Sequence, residues 1–383
     1  MWRSLASNAI TALSVLLFLM AGVILWGQRQ YSEAGPLQAG ICLRVDRGSN
    51  MTEVSRDLEK YQAISSGSLF RIGVKYAELD DDLKAGSFLI GEGASMAEIA
   101  AIITDGGPST CGTEIVYRVG VSRLAVQVRE LDPETGRFVE RVSFDPTGDV
   151  PAEFAAYHEQ TGTRYRIAFA EGVTSWQVVQ GLNAIDVLRG EVESTPAEGA
   201  LAPDSYEIRA GATRESVIER MEQAQDSILN TAWENRADDL PLESPDEALI
   251  LASIIEKETA VADERGLVSS VFINRLNQGV RLQTDPTVIY GITRGQGTLG
   301  RGLRQSELRR ETDWNTYVID GLPRTAIANP GRASIEAALN PEDTDFLFFV
   351  ADGTGGHAFA RTLREHNVNV RKWREIEASR SSN

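Results

Sequence analysis

The chain has 383 residues, 42% hydrophobic and 24% charged, with a formal net charge of -17. That length allows two or three domains with real cores, and the composition is that of a globular protein rather than a disordered one. Its Lys and Arg residues form no stripe, so nucleic acid is not an expected partner. His158, His357 and His366 show no HExxH or CxxC companion spacing, so a structural zinc is not expected.

The segment AITALSVLLFLMAGVILW, Ala9 to Trp26, carries no charge and is just long enough to cross a bilayer core. Trp26 and Arg29 suit the far interface, with Arg3 and the amine on the near side. A cleaved signal peptide would have a shorter apolar core and a small-x-small site, which WGQRQYSEAG lacks. The reading is an uncleaved transmembrane helix over 9–27, behind a cytoplasmic tail of 1–8 and ahead of a linker over 28–39. The flanking charges do not settle orientation; an inward N-terminus with the large domain exported is favoured. In an oxidising compartment Cys42 and Cys111 could pair and staple the first exported domain; the alternative is two small buried thiols.

A strand–turn–helix pattern then occurs three times: in CLRVDRGSNMTEVSRDLEKYQAI (Cys42–Ile64), in GSFLIGEGASMAEIAAIITDG (Gly86–Gly106) and in YRIAFAEGVTSWQVVQGLNAI (Tyr165–Ile185). Units this small must pack together to bury their apolar faces. Between the second and third, Val121–Leu131 and Phe138–Phe144 alternate about the turn DPETGR, which predicts a β-hairpin insertion. The fold class is α+β, with strand–turn–helix regions over 40–112 and 164–240, the insertion over 113–163 and a mixed α/β domain over 241–380. A long helix is expected from a Thr213 cap to about Ala237.

The segment SPDEALILASIIEKET opens with dense helix-start signals: Ser244 as cap, Pro245 in the first turn and Glu247 placed for a capping box. Glu256 and Glu258 are two apart and point to roughly opposite sides, so they cannot face each other. Glu258 follows Ile250, Leu251, Ile254 and Ile255, the bulkiest apolar stripe. A carboxyl there loses hydration and can stay protonated, as a general acid must. Glu256 reads as a satisfied or exposed carboxylate. The plain alternative for Glu258 is a carboxylate that merely ends a core helix. A second helix, GLVSSVFINRLNQG, follows. A short strand then leads to a Thr284/Asp285 cap, Pro286 and one or two helical turns ending near Gly291. Asn274, Arg275, Gln283, Asp285 and Tyr290 set hydrogen-bonding groups beside apolar ones, a mixture that suits a sugar. Each also has a bland reading, Asp285 as a cap and Arg275 as the partner of an acid.

The segment from Ala252 to Ile292, ASIIEKETAVADERGLVSSVFINRLNQGVRLQTDPTVIYGI, resembles the MltG (YceG-like) family of endolytic murein transglycosylases. WNTYVIDGLP (Trp314–Pro323), AIANPGRASIEAALNP (Ala326–Pro341) and DFLFFVADGTGGHAF (Asp345–Phe359) extend the likeness, and LAPDSYEI and FAEGVTSWQVV carry it upstream. The strand–turn–helix regions are similar to LysM modules, which bind peptidoglycan glycan; the hairpin insertion departs from shorter family members. The resemblance implies an inner-membrane protein with its catalytic domain in the periplasm. It implies cleavage of nascent peptidoglycan between N-acetylmuramic acid and N-acetylglucosamine, leaving 1,6-anhydromuramic ends and terminating glycan polymerisation close to the synthases. The family's catalytic glutamate is the second Glu of the EKE motif and falls on Glu258, and the single-glutamate scheme that the resemblance implies needs no metal or cofactor. Glu264, Asn274, Gln283, Asp285, Asn315, Tyr317 and His357 are the candidate substrate contacts, from residue type and motif. A non-catalytic glycan-binding adaptor and a hydrolytic muramidase remain as alternatives.

Overall fold

A computed structural model describes residues 2–46, 48–105, 110–160 and 162–381. Gly106, the glycine expected to close the second repeat, and the Arg3 side chain lie outside the described part.

The chain opens with one helix, α1 (Trp2–Ser32). Its stretch Leu13–Ser32 is long and apolar enough to cross a membrane, and Phe18, Leu19 and Leu25 stand exposed. The expected linker is shorter than read from sequence, because the helix continues to Ser32 and Tyr31 packs on the neighbouring core. Tyr31 lies against Gly73, where any Cβ would enter its ring.

Two compact units follow from the packing. The first comprises Met1–Val116, Gln127–Phe144 and Val150–Tyr165, and the second the remainder. In the first, β1 (Ile41–Val45) leads through Asn50 into α2 (Met51–Lys60). Asn50 and Glu53 form a reciprocal capping box, and Met51, Val54 and Leu58 bury one face. A further helix, α3 (Gly67–Tyr76), was not expected from sequence. β2 (Gly86–Ile90) and α4 (Met96–Thr104) complete the group, with Ser95 and Glu98 repeating the capping box. β1 and β2 pair antiparallel with Leu43 opposite Phe88. Leu43, Leu58, Phe70, Ile90 and Ile103 are fully buried in one cluster. Cys42 and Cys111 are joined by a disulfide.

The hairpin of the sequence reading exists as β4 (Leu124–Asp132) and β5 (Arg137–Phe144), but it is not a free-standing insertion. With β3 (Thr113–Val119), β6 (Arg164–Phe169) and β7 (Ser205–Ile208) it makes a five-stranded sheet in the order β5-β4-β3-β6-β7. A short α5 (Phe154–Glu159) precedes β6. The three repeats therefore do not share one sheet. The first two share the β1–β2 sheet, while β6 of the third, with its α6 (Ser175–Asn183), belongs to the larger one. A strand finds its sheet through long-range pairing, which a local repeat does not encode.

The second unit carries α7 (Arg214–Glu234), capped by Thr213 as expected, then α8 (Pro245–Glu258), α9 (Arg265–Asn277) and α10 (Asp285–Thr293). A one-turn α11 (Gln305–Leu308) and α12 (Arg332–Leu339) follow. The hairpin β8 (Phe348–Ala351) and β9 (His357–Ala360) and the terminal α13 (Leu363–Ser381) close the chain. Leu251, Ile254, Ile255, Val268, Phe272 and Leu339 form the core under α8. No strand forms at 280–284; Gln283 adopts φ 48° there, a left-handed conformation that breaks any extended run.

Candidate active site

α8 begins as its sequence dictates. Ser244 accepts the Glu247 N–H and Pro245 occupies the first turn. Glu247 does not complete a capping box; its carboxylate takes the Glu243 N–H instead, at 2.7 Å. The helix ends at Glu258 because Thr259 turns extended (φ -138°, ψ 134°). Within it, Glu256 and Glu258 diverge as their spacing requires. Glu256 accepts from Gly331 N–H at 3.0 Å and from the Ser334 hydroxyl at 2.7 Å, at the N-terminus of α12. Negative charge is favourable there. Glu256 is a satisfied structural carboxylate.

Glu258 has a different setting. Its carboxylate accepts a hydrogen bond from the Thr284 hydroxyl. The side chain keeps a partly open face, yet surrounding protein mass strips most of its hydration. Burial raises its pKa above the usual carboxylate range, and the neighbouring Asp285 charge adds to the rise. The Thr284 hydrogen bond, His357 and Arg275 pull the other way. The last turn of a helix, where carbonyl dipoles point outward, also disfavours the anion.

Thr284 is the N-cap of α10 by position, but its side chain caps nothing. A capping threonine would turn its oxygen to a backbone N–H; here the hydroxyl serves Glu258. The backbone around it is fastened by other threonines. Thr284 N–H donates to Thr316 Oγ1 at 3.1 Å and Thr287 Oγ1 donates to Thr284 O at 2.7 Å. All three are buried.

Arg275 supports the same loop. Its guanidinium donates to the carbonyls of Leu347 (2.7 Å) and Leu282 (2.8 Å) and lies over the Phe348 ring at 5.3 Å. It thus holds backbone carbonyls, where the sequence reading offered an acid. Tyr317 OH donates to Asp285 Oδ1 at 2.6 Å; burial first, and then that bond, raises the tyrosine's pKa.

Glu264 ends a 3-10 turn and clamps β9. It accepts from His357 N–H at 2.7 Å and lies 2.7 Å from His357 Nδ1. Gly356 permits this approach, since a Cβ there would collide with the Glu264 carboxylate. Asn274 donates to Thr344 O (2.7 Å) and Phe346 O (3.0 Å), pinning the approach to β8. Asn315 is buried; its amide donates to Arg310 O at 2.7 Å and its oxygen accepts from Tyr317 N–H at 3.0 Å. Gln283 is exposed.

The site therefore gathers Glu258, Thr284, Asp285 and Tyr317, with His357 and Arg275 in electrostatic range of the glutamate. Asn274 and Asn315 hold backbone instead. The sequence reading missed the hydroxyl of Thr284, whose partner is 26 residues away. Its only local signal was a threonine at a cap position. Among the described residues no cluster of metal-ligating side chains occurs.

A buried acid at a helix end, backed by a threonine-fastened loop, can donate and recover a proton at one position. The pattern of the YceG-like family matches residues 145–372, the span that carries all of these groups. The chain belongs to the YceG-like family. An endolytic murein transglycosylase of Bacillus subtilis strain 168 is 27% identical to it over 86% of this chain and 84% of its own length. One from Streptococcus pneumoniae serotype 2 is 27% identical, and this chain spans 58% of that protein. A crystal structure of a YceG-like protein from Listeria monocytogenes shares 25% identity over 86% of this chain and 99% of its own, with a TM-score of 0.46.

Proposed function

We propose that this YceG-like chain cuts murein glycan strands internally at Glu258. The chain is a lytic transglycosylase, a lyase acting on peptidoglycan. The observation that carries the reading is Glu258, a carboxyl whose pKa burial raises and whose orientation the Thr284 hydroxyl holds.

Protonated Glu258 gives its proton to the glycosidic oxygen between N-acetylmuramic acid and N-acetylglucosamine as the C1–O bond breaks. The resulting carboxylate takes the proton from the muramic C6 hydroxyl while that oxygen bonds to C1. The products are a 1,6-anhydromuramic end and a free N-acetylglucosamine hydroxyl, and the enzyme regains its proton. A hydrolase would need a second carboxyl to activate water or to attack the sugar. Asp285, whose charge acts on Glu258, is engaged by Tyr317, which supports the scheme with one acid.

Gln283, Asp285, Tyr317 and His357 are the side chains we assign to substrate. Glu264, Asn274 and Asn315 act through them, by fixing His357, the approach to β8 and Tyr317. We place the N-terminus in the cytoplasm and the two units in the periplasm. There the enzyme would terminate nascent strands beside the synthases, and the β1–α2 and β2–α4 pairs would act as a LysM-like hold on glycan.

The full chain in detergent, given uncrosslinked glycan strands and followed by mass spectrometry, tests this. Anhydromuramic ends from wild type and none from Glu258→Gln are expected. Reducing ends would mean a muramidase; intact strands that stay bound to both proteins would mean an adaptor.

A further inference from the structure

The second unit holds a groove that the reaction at Glu258 does not use. One cleft of ≈ 260 Å³ is bordered by Lys257, Tyr290 and the loop around Gly297. Another of ≈ 600 Å³ is bordered by Arg123, Trp176, Gln180 and Asn183. They share Val121, Gln177, Gly297 and Thr298, and so form one continuous groove. Its size falls in the ordinary range of ligand sites, roughly 300–1,000 Å³. Lys257 and Pro286, chain neighbours of Glu258 and Asp285, place one end beside the catalytic loop.

The lining is distinctive in charge. The chain has 55 acidic residues against 38 basic ones, yet no acidic residue borders either cleft, and each contributes one cation. Lys257 gives one hydrogen bond, to Gly172 O at 3.2 Å, and keeps further ammonium donors, with Glu256 and Glu198 acting on its charge from behind the lining. Arg123 stands exposed at the turn between β3 and β4. The wall between them is rigid: Gln177 donates to Val121 O at 2.6 Å and accepts from Thr174 N–H at 2.9 Å. Gln180 and Asn183 are exposed amides on α6, and Trp176 is a half-buried ring. The remaining lining is largely apolar side chains, glycines and hydroxyls.

Two cations on a lining that itself holds no acid, spaced along an apolar and amide-bearing groove, fit an extended peptide that carries carboxylates. Murein supplies one, since its muramic acids bear short alanine-rich peptides with free carboxylates. We propose that this groove seats the carboxylate-bearing stem peptide of the strand being cut. The proposal rests on the transglycosylase reading for its choice of ligand. It makes the enzyme selective for muramic residues that still carry their peptides.

Binding separates the two readings, because it needs no cleavage. Full chain carrying Glu258→Gln, in detergent, is titrated calorimetrically with three probes. They are the muramyl disaccharide tetrapeptide, the same compound with amidated carboxylates, and the peptide-free disaccharide. The expected result is affinity for the first at least about tenfold above the other two, weakening as salt is raised. Arg123→Glu and Gln180→Glu, both on exposed positions, should each reduce that affinity about tenfold. Equal affinity for the three probes, no binding of any, or full affinity in both acidic variants would overturn the proposal. Failure of the transglycosylase reading shows instead as missing anhydromuramic ends from wild type.

Discussion

Glu258 sits where burial opposes its charge. Burial raises its pKa, so its carboxylate form is the costly one in the folded protein. The sign for stability follows by linkage. A carboxyl with a raised folded-state pKa holds its proton longer folded than unfolded, so stability falls as pH rises from the ordinary glutamate range through the raised value. Glu258→Gln removes that penalty and keeps an oxygen for Thr284. Its Tm should match wild type near pH 4 and exceed it increasingly towards neutral pH; a constant offset at every pH would refute the linkage. On the proposed role of Glu258 activity runs the same way: kcat/KM should decline as pH climbs past the raised pKa, since a general acid must enter protonated. Thr284 tunes this. Its hydrogen bond lowers the Glu258 pKa, so Thr284→Val should shift the basic limb to higher pH and cost about tenfold in kcat, an ordinary share for a positioned acid. Thr284→Ser should restore both. If Thr284→Val altered KM alone, Thr284 would be a substrate contact and not a positioning residue.

At the scale of elements, one helix end has two carboxylates with separate partners. Glu256 closes the N-terminus of α12 through Gly331 and Ser334, while Glu258 faces the start of α10. Glu256→Ala should therefore cost about 1–2 kcal/mol, the usual loss for a helix cap, as a drop in denaturation midpoint. It should leave kcat within a few-fold of wild type; a loss as deep as that of Glu258→Gln would show that the two are not divided in this way. This split was legible in the sequence, because a spacing of two on a helix separates side chains and the isoleucines marked the dry side. The starts of α7 and α8 were legible too, since Thr213 and Ser244 are local caps. α3 escaped because Gly67 and Gly73, poor helix formers, stand in its short apolar run. The rest that escaped was non-local: β3 to β6 join a sheet whose order no repeat reveals, and the Thr284 hydroxyl leaves its own helix for a partner on another. Asn274 and Asn315 looked like sugar ligands by residue type. Their amides hold backbone carbonyls, a duty that only the fold brings within reach.

Across the whole molecule, stability is secured by different means in the two units. The second rests on the core under α8, together with buried polar knots such as those of Arg275, Thr316 and Asn315. The first has a smaller sheet, β1 with β2, and carries both cysteines of the chain. Cys42 lies in β1, opposite Leu89 of β2, and its disulfide partner Cys111 is 69 residues along the chain. A closure of that length restricts the unfolded chain by about 4 kcal/mol in the loop-entropy account. That is comparable with a large part of the stability of a small domain. Reduction should therefore act on the first unit through its unfolded state while leaving the native strand pairing in place. Hydrogen exchange reads this directly. With reductant, amides of β1, β2 and α4 should exchange markedly faster, while those of α8 and α9, in a unit with no cysteine, should hold their protection. Unchanged exchange in β1 and β2 after reduction would show that the packing of Leu43, Phe70 and Ile90 suffices, and that the disulfide adds nothing to it.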